Sequence, residues 1–126
     1  FYEWRKSGVG KLPYRILRTN AELLVMAGLW EEWRDANQVL RTYTIITTGP
    51  NEEMSTIHNR MPVLLLNATD RDYWLSDAPV EDLLSLLQTP PDGCLQRYRV
   101  SRSLNSVSNN DPKLHEAVND EPLTLF

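Results

Sequence analysis

A carboxylate flanked by aromatic rings and a histidine just past a helix-like segment are the residues of this chain best suited to proton transfer. In Phe1-Tyr2-Glu3-Trp4 the acid has rings on both sides. Partial loss of water there suits a group that takes and returns a proton. An ordinary Glu on the exposed side of an edge strand is the commoner situation, and spacing by itself favours that alternative. The second candidate lies in Ile57-His58-Asn59-Arg60-Met61-Pro62, where His58 stands beside Arg60 and ahead of a proline stop. A histidine at such a junction is either a structural cap or a titrating group, because imidazole changes charge near neutral pH.

Other chemistries find little support. Glycine-rich phosphate loops, nucleophile elbows and metal-binding His pairs are absent from the sequence. His58 and His115 are far apart with no ligand-type spacing around either, so neither a metal nor a cofactor is expected. Ser7-Gly8-Val9-Gly10 reads as a hairpin turn rather than a nucleotide loop. A glycosidase or acid protease would need a second carboxylate partnering Glu3, and none stands at an obvious position. The single cysteine, Cys94, can form no internal disulfide. Beside the Pro90-Pro91-Asp92-Gly93 turn it is expected to be a partly buried structural thiol. Trp33 and Trp74 read as core or rim packing, and His115 as a surface residue.

Elements must hold Glu3 and His58 in place. Alternating aromatic and polar residues over 1–5, a similar run over 14–18 and the glycine turn between them predict a hairpin. Residues 23–29 and the β-branched run 43–48 predict two further strands. Asn51 followed by Glu52 and Glu53 is a helix start, with a capping side chain and acids at the positive end of the dipole. Met54 and Ile57 continue it at helical spacing, so a short helix delivers His58 and Pro62 ends it. Beyond lie a buried strand at 63–66, a helical turn at 70–75, a helix at 80–87 opened by Pro79, and a last strand at 95–100. The Ser- and Asn-rich run 103–111 is irregular or a mobile tail. The expected fold is α+β and mostly antiparallel, with a strongly curled or barrel-like sheet and a few short flanking helices.

The chain has 126 residues, enough for one domain over 1–126 and no more. No apolar stretch approaches the roughly 20 residues of a membrane span, and the start carries no signal pattern. The expectation is a cytoplasmic protein. A net charge of −4 argues against bulk electrostatic wrapping by nucleic acid. The distribution is uneven, however. Arg5, Lys6, Lys11, Arg15 and Arg18 face only Glu3 within residues 1–18, interleaved with Phe1, Tyr2, Trp4 and Tyr14. Cations beside aromatic planes suit a single strand, whose phosphates need neutralising and whose bases need a stacking surface. A solvated charged strand with core aromatics is the other reading, and composition alone favours it.

Four blocks together are more specific than any one. Phe1-Tyr2-Glu3-Trp4, Ala27-Gly28-Leu29-Trp30-Glu31, Thr44-Ile45-Ile46-Thr47-Thr48 and Ile57-His58-Asn59-Arg60-Met61-Pro62 occur in the order and spacing of the SRAP family, the SOS-response-associated peptidases. The chain resembles the C-terminal part of such a domain, and the resemblance continues through Tyr73-Trp74-Leu75 to Asn109-Asn110-Asp111-Pro112. It implies an abasic-site sensor in single-stranded DNA. The family's N-terminal Cys, exposed by autoproteolytic removal of the initiator Met, forms a covalent thiazolidine link with the ring-opened sugar. Glu3 resembles the catalytic Glu and His58 the catalytic His. Trp4 is expected to stack beside the lesion, Thr47 to hydrogen-bond near it and Arg60 to meet a phosphate.

The resemblance places the nucleophilic Cys in an N-terminal half that precedes Phe1, and Cys94 does not replace it. The chain alone is therefore expected to be inactive in cross-linking, to expose apolar surface where that half would pack, and to be open to self-association there. Its expected location is cytoplasmic, at the nucleoid, or nuclear in a eukaryote. The competing class is a non-catalytic single-stranded DNA binding module, whose binding would ignore the lesion.

Overall fold

Glycine at position 10, with φ at +108°, lets the chain reverse and begin the longest strand of the molecule. The computed structural model describes residues 1–8 and 10–118. In chain order the elements are β1 (Tyr2–Ser7), β2 (Gly10–Arg18), β3 (Gly28–Arg34), β4 (Val39–Ile45), β5 (Thr47–Thr48), α1 (Glu52–Ser55), β6 (Met61–Pro62), α2 (Ala68–Trp74), α3 (Val80–Leu83) and β7 (Leu95–Arg99). Short 3₁₀ turns follow α3 at Leu84–Leu86 and close the described chain at Arg102–Asn105 and Pro112–His115.

All strand pairing is antiparallel, and the class is mixed α and β with few short helices. The expected strongly curled or barrel-like sheet is not found. Among the described residues the strands divide into three sheets, ordered β1-β2-β7, β3-β4 and β5-β6. The reason lies in the connections. Single backbone bonds, not ladders, join the sheets: the Ala27 N–H donates to Val63 O at 3.0 Å, Val63 N–H to Ile46 O at 2.9 Å and Ile46 N–H to Ala27 O at 2.9 Å.

Two apolar clusters form the core. Ile16, Met54, Ile57, Met61, Leu64 and Leu95 pack the three-stranded sheet against α1. Ala27, Val63 and Leu65 make the second, flanked by Ile46, Trp74, Leu86 and Leu87. Gly28 belongs to this second region by necessity: a Cβ there would stand 2.8 Å from the Thr44 carbonyl.

Several predicted boundaries move. Residues 23–25 carry no strand, Leu23 is exposed, and the strand begins at Gly28 and runs to Arg34. The run 43–48 is broken at Ile46, whose backbone bonds to two different segments. The predicted helix 80–87 tightens into a 3₁₀ turn after Leu83. Helix α1 ends at Ser55, because the N–H groups of Ile57 and His58 both converge on the Met54 carbonyl at 2.8 and 2.9 Å. His58 is thus held in the turn after the helix.

Hairpin β3-β4 is the least covered element. Trp30 and Tyr43, directly opposed, are 74% and 81% exposed, and Trp33 opposite Leu40 is half-exposed, so Trp33 is not a core residue. Glu32 ties the strands together by pairing with both Arg34 and Arg41.

Asn51 anchors α1 from within. It is buried, its Oδ1 accepts from the Met54 N–H at 3.0 Å, and its Nδ2 donates to Glu53 and to the Pro91 carbonyl. Asn51→Ala is expected to cost about 1–2 kcal/mol, read as a lower urea midpoint at unchanged m, because a helix cap and a buried tether are lost together.

Candidate nucleic-acid site

Register decides where Glu3 points. It pairs with Tyr14, and the buried residues Leu12 and Ile16 share Tyr14's face of β2, so Glu3 faces α1 and not solvent beyond the sheet. Its carboxylate accepts the Trp4 N–H at 3.0 Å. The Glu3 side chain is 22% exposed and the His58 side chain 42%, with His58 Nδ1 lying 3.9 Å from Glu3 Oε2. That separation exceeds a hydrogen bond. It leaves both groups able to address one bound hydroxyl.

The imidazole is held by backbone on one side. Nδ1 lies 3.2 Å from the Arg60 carbonyl and 3.3 Å from the Arg60 N–H. Either tautomer is thereby accommodated: Nδ1–H donates to the carbonyl, or bare Nδ1 accepts from the N–H. Nε2 has no protein partner among the described residues, so the ring can present a base or an acid there without moving.

Glu3 and His58 line one open groove of about 500 Å³, together with Trp4, Arg5, Lys6, Lys11, Thr56, Ile57 and Asn59. Trp4 is pinned from the other side, its Nε1–H donating to Asn105 Oδ1 at 2.7 Å. Thr47 and Arg60 are brought to each other rather than into the groove lining. Arg60 Nε donates to Thr47 Oγ1 at 2.9 Å and Nη2 to the Thr47 carbonyl at 3.0 Å, which joins β5 to the turn carrying His58. The structure therefore unites Glu3, Trp4 and His58 and sets the Thr47–Arg60 pair beside them.

Sequence reasoning missed Asn105 as the partner of Trp4, and no local signal marks it. It also missed the tie between His115 and Tyr2: the rings stack with centroids 5.9 Å apart, and Tyr2 Oη lies 2.6 Å from His115 Nδ1. Trp74 is half-buried at the second core and donates its indole N–H to the Gly28 carbonyl at 3.3 Å.

Cys94 packs against the first apolar cluster. Burial pushes its thiol pKa up, and the nearby Glu53 carboxylate adds to the shift. It is not a lining residue of the groove.

The comparisons define the class. The family model for SOS response associated peptidase (SRAP) matches residues 1–107, and the chain belongs to the SRAP family. The chain is 40% identical over 121 residues to the abasic site processing protein YoqW of Bacillus subtilis, spanning 93% of this chain and 54% of that protein. It is 33% identical over 135 residues to the abasic site processing protein HMCES of Gallus gallus, with 90% of this chain and 40% of that protein covered. A crystal structure of a Bacteroides thetaiotaomicron protein superposes with a TM-score of 0.81 at 26% identity, over 94% of this chain and 53% of the other. The chain thus spans about half the length of the curated relatives it matches.

Alkylation of Cys94 by iodoacetamide at pH 8 is expected to be several-fold slower in the folded chain than in urea, and to accelerate as pH rises towards the raised thiol pKa. Equal rates in both states, followed by mass spectrometry, would contradict this placement.

Proposed function

We propose that the chain supplies the proton-transfer half of an abasic-site processing site acting on single-stranded DNA. The observation that carries this reading is the meeting of the Glu3 carboxylate and the His58 imidazole across one open groove, from segments far apart in sequence. The names of the relatives YoqW and HMCES support the lesion class.

The chemistry fits two such groups. Opening a deoxyribose hemiacetal takes a proton from the anomeric hydroxyl and delivers one to the ring oxygen, and a carboxylate facing an imidazole can do both. The aldehyde so released condenses with the α-amine of an N-terminal Cys, losing water to give an imine. Addition of the thiol across the C=N bond forms the C–S bond and returns the proton to nitrogen, closing a thiazolidine. In this reading the Cys belongs to the remainder of the SRAP domain, the autoproteolysis that exposes it draws on Glu3 and His58, and the chain alone does not cross-link. Trp4, held by Asn105, offers a stacking plane beside the sugar. Thr47 holds Arg60, whose remaining donors serve a phosphate.

The uncovered hairpin supports the same division. Trp30, Tyr43 and Leu75, the last 82% exposed, form an apolar surface that the remainder of the domain would cover and through which the lone chain self-associates. Trp30→Lys with Tyr43→Lys is expected to shift the chain towards monomer in sedimentation velocity, at little cost in stability.

The functional test uses the complete SRAP parent with its N-terminal Cys verified by mass. Mixed with an oligonucleotide holding one abasic site, it is expected to give a heat-stable shifted band on a denaturing gel, absent with undamaged DNA. Glu3→Gln and His58→Ala are each expected to slow cross-linking by about 10²-fold or more. Unchanged rates in both variants would remove the role assigned to the pair. Lesion-independent binding without any covalent band would instead favour a non-catalytic binding module.

A further inference from the structure

We infer that Asn105, in the turn Arg102–Asn105 behind the sheet, is a positioning residue for the Glu3 carboxylate and acts on it through Trp4; this rests on the reading of Glu3 as a proton-transfer group. Register gives the first step. Phe1 and Ile16 exchange two bonds, the Phe1 ammonium donating to Ile16 O at 2.9 Å and the Ile16 N–H to Phe1 O at 2.8 Å. Alternation then turns the backbone of Glu3 and Arg5 towards β2, and that of Tyr2, Trp4 and Lys6 towards the open edge. The Trp4 N–H therefore has no ladder partner among the described strands, and the Glu3 carboxylate takes it at 3.0 Å. The Trp4 side chain leaves the strand on the opposite face from Glu3, where its indole N–H donates to Asn105 Oδ1 at 2.7 Å. One residue thus joins the carboxylate in front of the sheet to an amide behind it.

The Asn105 side chain has no part in building its own turn. There the Ser103 N–H donates to Ser101 Oγ, the Leu104 N–H to Ser101 O, and the Ser106 N–H and Asn109 Nδ2 to Ser103 O. Among the described residues the Asn105 side chain bonds to Trp4 alone. The segment that carries it is fastened to the sheet again further on. The Tyr98 hydroxyl donates to the His115 carbonyl at 2.9 Å, Tyr2 Oη lies 2.6 Å from His115 Nδ1, and the Val118 N–H donates to Arg99 O at 3.0 Å. Tyr2 and Trp4, the residues on either side of Glu3, are thus both held by one segment on the far face. Strand β1 is paired on one side only within its sheet, and this segment gives it a second hold where the proton-transfer group stands. Fixing the indole limits rotation of Trp4 about its backbone, and with it the direction of the N–H that the carboxylate follows.

The test uses the complete SRAP parent, with cross-linking followed in single turnovers at saturating abasic strand and hydrogen exchange of the Trp4 amide followed by NMR. Asn105→Leu is expected to slow cross-linking by roughly 10-fold, because a misplacement of about 1 Å costs on the order of 10²-fold and one lost tether moves the group less. It is also expected to speed exchange of the Trp4 amide several-fold, as the carboxylate no longer holds that N–H. Asn105→Asp keeps an oxygen acceptor and is expected to restore both wild-type values. In a Glu3→Gln background, Asn105→Leu is expected to cause no further slowing, which a general loss of folding would not reproduce. Wild-type amide exchange in Asn105→Leu overturns the inference whatever the rate, as does the full further slowing in the Glu3→Gln background. If Glu3→Gln leaves the rate unchanged while Asn105→Leu still frees the Trp4 amide, the tie to the carboxylate stands and the proton-transfer reading fails. If Glu3→Gln slows the reaction and Asn105→Leu does not, the proton-transfer reading stands and the positioning role fails.

Discussion

Asn51 is the one buried polar residue among those described, and the position of the groove depends on how its amide is satisfied. An amide buried without partners costs about 1–3 kcal/mol. Here every polar atom is engaged: Oδ1 starts α1, Nδ2 reaches Glu53 and the Pro91 carbonyl, and the backbone N–H meets Met61 Sδ. Next to it the Glu52 N–H donates to Asp92 Oδ1, and Glu53 Oε1 accepts from the Gly93 N–H. The helix start, the loop before β7 and the strand carrying Met61 are clamped at one point. From that clamp α1 is a single turn, and His58 follows at a set distance.

The other wall of the groove has a different origin. β1 has an edge position in its sheet and keeps register through six paired positions with β2. Shifting that register by one residue would turn Glu3 away from α1 and bring Trp4 inward. The Ile16 N–H, donating to the Phe1 carbonyl at 2.8 Å, ties the start of this pairing in place. The Glu3–His58 geometry follows from strand pairing on one side and amide satisfaction on the other. The supports next to the two groups are backbone ones, the Trp4 N–H at the Glu3 carboxylate and the Arg60 backbone under the imidazole.

Coverage of the apolar side chains is uneven. The groove sits on the part of the molecule with the better core, whereas hairpin β3-β4 presents large rings to solvent. A two-stranded ribbon gains little from its own pairing in water and ordinarily needs a further layer. The Glu32 ion pairs hold its register but, being on the surface, add little stability.

Much was legible in the residues themselves. The Asn51-Glu52-Glu53 cap and the hairpin across Gly8 are local features, because a cap and a turn are each decided by a few neighbouring side chains; the expected Pro62 stop is not, since α1 ends at Ser55 and Pro62 lies in β6. The four spaced blocks named the family, and with it Glu3 and His58. Tertiary structure alone decided that these two face each other, that Trp4 leans on Asn105, that Thr47 engages Arg60, and that the strands form three sheets instead of one curled one. Each of these joins segments distant in the chain, and such pairings are set by how whole faces pack and how buried backbone groups find partners. No local pattern encodes that choice.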